Sequence, residues 1–129
     1  DFDLLIDLGL DYLKLGQRLS GFSGGERQRL KLTKEIGNED NLIVLDEPST
    51  GLHPFDTKKL MSILNKLVNQ NNTIIVIEHN LDIISKADWI IDVGEGAGKY
   101  GGEIIFEGTV EKLLNYKNSA TAEYLRKYL

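Results

Sequence analysis

Leu42-Ile43-Val44-Leu45-Asp46-Glu47-Pro48 and, further along, Thr73-Ile74-Ile75-Val76-Ile77-Glu78-His79 decide how this chain folds. Each is a short, continuous apolar run ending in polar residues capable of chemistry. Continuous rather than alternating hydrophobicity predicts strands covered on both faces, as in a parallel sheet. Between them Leu60, Ile63, Leu64, Leu67 and Val68 recur at helical spacing, with Lys59, Ser62, Asn65 and Lys66 opposite. The polar tract 69–72 stops that helix. Strand, helix and strand with short polar joints make a βαβ unit, whose crossover is expected to be right-handed.

Upstream, Ser23-Gly24-Gly25-Glu26 reads as a capping box, in which the Ser hydroxyl satisfies a free N–H and the Glu reaches back. A helix is predicted from Ser23 to about Ile36, ending at Gly37-Asn38, residues suited to a left-handed turn. Residues 1–22 predict a short helix over 2–8 and then a loop. Downstream, a short helix over 80–85 precedes two strands over 89–93 and 103–107. The loop joining them holds five of the chain's 13 glycines, at positions 94, 96, 98, 101 and 102, and makes a permissive hairpin connection. Helices over 110–115, capped by Thr109, and over 121–128 complete the chain. The fold class is therefore α/β, a mainly parallel sheet with flanking helices and a terminal hairpin.

Bulk properties narrow the partners. The chain has 129 residues, enough for one domain with a real core. Its 41% hydrophobic and 27% charged residues exclude disorder and collagen-like repeats. Fifteen Lys and Arg against 20 Asp and Glu leave a net charge of −5, which argues against broad electrostatic nucleic-acid binding by this segment. With no cysteine, neither a disulfide framework nor a thiolate zinc site can form here. No apolar stretch approaches the roughly 20 residues of a membrane-spanning helix, and no signal peptide opens the chain. The start at Asp1, without Met and directly on an amphipathic stretch, suggests an excised piece.

Three positions could carry chemistry. In an open parallel sheet, ligands bind beyond the carboxyl ends of the strands, where Asp46 and Glu47 emerge. One carboxylate there can hold Mg²⁺ through water while its neighbour orients a nucleophilic water. The bland alternative is a polar strand end broken by Pro48. His79 ends the second strand near the same edge and could donate to a phosphate oxygen, although a lone His after a strand is more often structural. Ser23, Gly24 and Gly25 open a helix whose free N–H groups favour an anion, or else form a cap and nothing more. Gly96-Ala97-Gly98-Lys99-Tyr100 imitates a phosphate loop. The pattern, however, needs Gly where Val93 stands and Ser or Thr where Tyr100 stands, and it needs a strand-to-helix setting. The chain therefore offers no primary triphosphate cradle. Arg27, Lys31 and Lys34 form a basic stripe, read as a solvated face, with a DNA or partner contact as the sharper option.

Taken together, these segments resemble a known family. Phe22-Ser23-Gly24-Gly25-Glu26-Arg27-Gln28-Arg29 is similar to the signature motif of ATP-binding cassette (ABC) ATPases, with Phe22 in place of the usual Leu. Residues 42–47 resemble their Walker B strand, 49–53 their D-loop and His79 their switch histidine. Within that superfamily the UvrA family matches in detail. The matching stretches are Tyr12-Leu13-Lys14-Leu15-Gly16-Gln17, Glu78-His79-Asn80-Leu81-Asp82 and Ala87-Asp88-Trp89-Ile90-Ile91-Asp92. Gly101-Gly102-Glu103-Ile104-Ile105 running into Glu107-Gly108-Thr109 is similar too, as is the long glycine-rich hairpin over 89–107. Gly21, where the family tends to carry Thr, and Gly96-Ala97-Gly98 depart from the repair proteins toward UvrA-like paralogues associated with antibiotic resistance.

The resemblance implies that residues 1–129 are the carboxyl-terminal part of the second cassette, a P-loop NTPase-like domain without its Walker A segment. It implies ATP and Mg²⁺ as cofactors of the full-length protein, with no zinc ligands in this segment. Glu47 would polarise the attacking water, His79 would contact the γ-phosphate and Asp46 would help hold Mg²⁺ through water, in the family's manner. Ser23, Gly24, Gly25, Glu26 and Gln28 would meet a nucleotide held by an opposing cassette. The implied partners are that cassette, damaged DNA and UvrB, in a dimeric cytoplasmic repair ATPase with no membrane contact. Residues 1–129 alone should not hydrolyse ATP. A UvrA-like resistance paralogue, a transporter cassette and a non-catalytic ABC-like interaction module are the alternatives. Without a Walker A strand beside it, Thr73–Ile77 is expected to present an unpaired apolar edge.

Overall fold

The computed structural model describes residues 5, 6, 8, 10, 21–94 and 101–129. Leu5 and Ile6 are helical, in keeping with the short helix expected near the start. Leu8, the last residue of that expected helix, stands in a turn; residues 2–4 and 7, the stretch 12–17 and loop residues 95–100 lie outside the described residues. Two compact units make up the chain, Asp1–His79 and Asn80–Leu129.

In the first unit, α1 (Gly24–Glu35) leads to β1 (Leu42–Asp46), α2 (Pro54–Asn69) and β2 (Thr73–Ile77). The strands pair in parallel, from Leu42 opposite Thr73 to Asp46 opposite Ile77, so both chains leave the sheet at one edge. The βαβ reading is thus the observed topology. Pro54 occupies the first turn of α2, where its missing N–H is no loss, and His53 Nδ1 caps the helix by accepting the Phe55 N–H at 3.3 Å. Leu60, Ile63, Leu64 and Leu67 are buried as the periodicity requires, whereas Val68 stays exposed.

Coverage of the sheet differs from expectation. Ile43 and Leu45 are buried, but Leu42 is 64% and Val44 53% exposed, and so are Ile75 (48%) and Ile77 (56%) on β2. Val44 pairs with Ile75, so these residues share one face. Among the described residues, helices pack only against the other face. Among the described residues the apolar runs are therefore covered on one face only, not on the two that continuous hydrophobicity predicts.

Asn72 closes the unit behind the sheet. It is 5% exposed. Its Nδ2 donates to the carbonyls of Asn38 (3.0 Å) and Leu67 (2.9 Å), while its Oδ1 accepts the Asn41 N–H at 3.0 Å. One amide side chain thus ties the end of α2 to the loop entering β1, adding to the Gln70 N–H that the Leu67 carbonyl already accepts.

The second unit runs α3 (Leu81–Ile84), β3 (Ile90–Val93), β4 (Ile104–Gly108), α4 (Val110–Asn115) and α5 (Ala120–Tyr128). β3 and β4 form the expected antiparallel hairpin, with an irregularity between Asp92 and Val93. Its core is Ile90, Leu113, Ala122 and Leu125, flanked by Phe106, Val110 and Leu114. α5 starts one residue before the predicted boundary because Ser119 caps it, its Oγ accepting the Ala122 N–H at 2.9 Å. The Asp92 carboxylate accepts the Ser119 and Thr121 hydroxyls, tying that cap to β3.

Candidate active site

The carboxyl edge of the parallel pair gathers the predicted residues. β1 ends at Asp46, and the Glu47 N–H still donates to the Ile77 carbonyl at 2.9 Å before the chain turns away. Glu47 itself has φ of +46°, a left-handed conformation unusual for a residue with a side chain. Such a position costs on the order of 1–3 kcal/mol and persists only where its surroundings over-determine it. Strand alternation would point adjacent acids to opposite faces, but the backbone leaves the strand conformation at Glu47.

Glu47 and His79 meet at the edge. His79 Nδ1 lies 3.6 Å from Glu47 Oε1, and both side chains remain substantially open to solvent. The Thr50 hydroxyl donates to Glu47 Oε2 at 3.2 Å, inside a turn closed by the Thr50 N–H on the Glu47 carbonyl. A carboxylate held this way, with an imidazole beside it, has the geometry of a base that can orient a water. Asp46 is exposed at the end of β1, and no side chain among the described residues bonds to it. No group of three or more His, Cys, Asp or Glu able to hold a metal occurs among the described residues. Asp46 alone could offer one carboxylate to a hydrated Mg²⁺.

Ser23 forms the predicted capping box at the start of α1. Its Oγ accepts the Glu26 N–H at 3.3 Å, and Glu26 Oε2 accepts the Ser23 N–H at 2.6 Å. Gly24 is exposed with open space where a Cβ would stand. Its N–H and that of Gly25 have no protein partner among the described residues, so this end of a 12-residue helix fits an anionic phosphate. Gly25 faces the other way. A Cβ there would sit 2.9 Å from the Thr50 carbonyl oxygen and 3.4 Å from that of Glu47. Gln28 Oε1 is buried and has no hydrogen-bond partner among the described residues. Arg27, Lys31 and Lys34 are exposed, the solvated stripe their spacing suggests.

Two residues that lie within the motifs but were not among the expected site residues hold the site together. Arg29 is 2% exposed, and its Nη1 donates to the carbonyls of Pro48 (2.8 Å) and Thr50 (3.0 Å). Burial lowers its pKa below the usual guanidinium value, opposed by the nearby carboxylates of Glu26 and Asp56. The signal was in the spacing, since Gly25, Arg29 and Leu32 share the buried face of α1 and a charge there needs a built partner. Glu78 is the second. Its Oε1 accepts the Ser49 N–H at 2.9 Å, and its Oε2 accepts the His79 N–H at 3.2 Å.

Comparisons with known proteins bear on this geometry. No family model matches the chain. It is 51% identical over 129 residues to UvrABC system protein A of Aquifex aeolicus (strain VF5), an alignment covering 98% of this chain and 14% of that protein. It is 52% identical over 128 residues to UvrABC system protein A of Pasteurella multocida (strain Pm70), covering 97% and 14%. The crystal structure of UvrA2 from Deinococcus radiodurans superposes with a TM-score of 0.88 at 46% identity, over 95% of this chain and 15% of that one. The chain thus spans 14% of the length of the curated relatives it matches.

Proposed function

The chain belongs to the UvrA family, and from that premise we propose that it is the carboxyl-terminal part of the second ABC cassette in a nucleotide excision repair ATPase. The observation that carries the reading is the meeting of Glu47 and His79 at 3.6 Å on the edge of a parallel strand pair. The same edge abuts the helix that opens with Ser23, Gly24 and Gly25.

In this reading Glu47 orients the attacking water and His79 donates a hydrogen bond to the γ-phosphate. Asp46 takes one position on Mg²⁺, which when bound neutralises charge on the phosphates. The exposed Gly24 N–H and the Ser23 hydroxyl, with the N–H of the buried Gly25 behind them, close on a nucleotide held by an opposing cassette. Glu26, which caps this helix end, and Gln28 belong to the same nucleotide-facing motif in this reading. Catalysis of this kind is positioning plus charge stabilisation, and each half-site is incomplete alone. Residues 1–129 by themselves do not turn over ATP. The full-length protein works as a cytoplasmic dimer, coupling nucleotide state to damaged DNA and to the loading of UvrB. No helix among the described residues is long and apolar enough to cross a membrane.

The test is ATP hydrolysis by the full-length protein carrying this segment, with and without Glu47→Gln. Loss of turnover by orders of magnitude supports the reading, and a rate left intact overturns it. A second reading, a UvrA-like paralogue, draws on the 46% identity to UvrA2. Failure of the ATP-bound protein to associate with UvrB would favour it over the repair enzyme.

A further inference from the structure

The turn 47–50 is gripped from two sides. Arg29, from α1, donates to its carbonyls at Pro48 and Thr50. Glu78, from the end of β2, accepts its Ser49 N–H. The same Glu78 carboxylate also accepts the N–H of His79. We infer that Glu78 and Arg29 are positioning residues that together lock Glu47 in its left-handed conformation and thereby set its distance from His79.

The argument rests on accounting for the backbone. A left-handed Glu47 has no local reason to persist, since neither a glycine nor an Asn or Asp side chain favours it there. The turn hydrogen bond from Thr50 N–H to the Glu47 carbonyl closes it, but a solitary turn with strained dihedrals opens readily. The flanking peptide groups are where restraint can act, and both kinds of group are engaged: carbonyls by a buried guanidinium, an N–H by a carboxylate. These are charge-assisted bonds, stronger than neutral ones. Glu78 has a further consequence. Because its two oxygens hold Ser49 and His79 at once, the backbones bearing Glu47 and His79 are spaced by one rigid carboxylate. Gly25 permits the arrangement, since any Cβ there would push the turn away from α1. A shift of the α1 amino terminus is therefore transmitted through Arg29 to the turn that carries Glu47.

This inference deepens the proposed ATPase reading and rests on it for its kinetic consequence, while its structural half stands on this chain alone. In the 129-residue chain, amide hydrogen exchange at Ser49 and His79 is measured by NMR in the wild type, Glu78→Gln and Glu78→Ala. Both amides should lose protection in Glu78→Ala and recover part of it in Glu78→Gln, which keeps one acceptor oxygen. Protection unchanged in Glu78→Ala overturns the clamp. In the full-length protein, steady-state ATP hydrolysis should show Glu78→Ala lowering kcat roughly 100-fold, the scale of an ångström-sized misplacement. KM should stay within about threefold, and Arg29→Lys, which can reach one carbonyl, should retain more turnover than Arg29→Met. Equal changes in kcat for Lys and Met, or a loss confined to KM, count against positioning. If Glu47→Gln leaves turnover intact, the ATPase reading fails. If Glu47→Gln abolishes it while Glu78→Ala does not alter kcat, the clamp fails alone. Should Glu78→Ala not fold, Glu78→Gln carries both measurements, with intermediate protection and an intermediate kcat expected and wild-type values in both overturning the inference.

Discussion

A Cβ placed on Gly25 would lie 2.9 Å from the carbonyl oxygen of Thr50, closer than such atoms ever approach. The obstacle is backbone, so it cannot rotate aside. Gly25→Ala should therefore destabilise the chain by about 1–3 kcal/mol, the usual cost of overpacking. Gly24, with open space around it, supplies the control. Gly24→Ala should leave stability nearly unchanged. Urea unfolding of the two variants, followed by circular dichroism, checks the contrast, and equal midpoints would contradict it.

Asn72→Ala removes three hydrogen bonds and leaves the Asn38 carbonyl and the Asn41 N–H to find other partners, while the Leu67 carbonyl keeps the Gln70 N–H. A loss of about 1–3 kcal/mol is expected for each group left buried and unsatisfied, moderated where water enters. Chemical denaturation measures the total. Exchange of the Asn41 amide should rise at the same time.

The exposed apolar face of the parallel pair invites contact between copies of this chain. Leu42, Val44, Ile75 and Ile77 form it, and β1 and β2 have no other strand partner among the described residues. Light scattering should show concentration-dependent association, and Val44→Lys or Ile75→Lys should suppress it with little effect on monomer stability. A monodisperse monomer at high concentration would count against it.

Glu123 and Lys127 pair one helical turn apart on α5, at 2.6 Å. The hydrogen bond from Lys127, with its charge, holds the Glu123 carboxyl below the usual carboxylate value. A depressed folded-state pKa means a contribution present above the unfolded pKa and lost as pH falls through the folded one. The pair is fully exposed, so its effect on stability should be slight. Lys127→Met should raise the Glu123 pKa toward its ordinary value, read from the side-chain carboxyl shift in an NMR titration.

Much of this was legible beforehand. Continuous apolar runs announced β1 and β2, the Ser23-Gly24-Gly25-Glu26 box announced α1, and motif spacing placed Glu47 and His79 at one edge. What stayed hidden depends on tertiary partners. Glu47's left-handed backbone has no local signature, because contacts from α1 and β2 impose it. Glu78 read as a strand-end acid until its two N–H partners came into view. Arg29 was the near miss, as a charge in register with Gly25 and Leu32 could have been recognised as buried. The doubly covered sheet was the opposite case. Composition there described what the strands are suited to, and the described residues supply one cover of the two.

The capping box of α1 has a consequence for whatever anion reaches it. Glu26 already occupies the place of a counter-ion, its carboxylate folded back onto the Ser23 N–H. An arriving phosphate does not dock on a bare positive pole but meets a resident negative group one residue beyond Gly25. The internal carboxylate offsets part of the positive charge at this helix end, so an anion arriving there joins a negative side chain already in place.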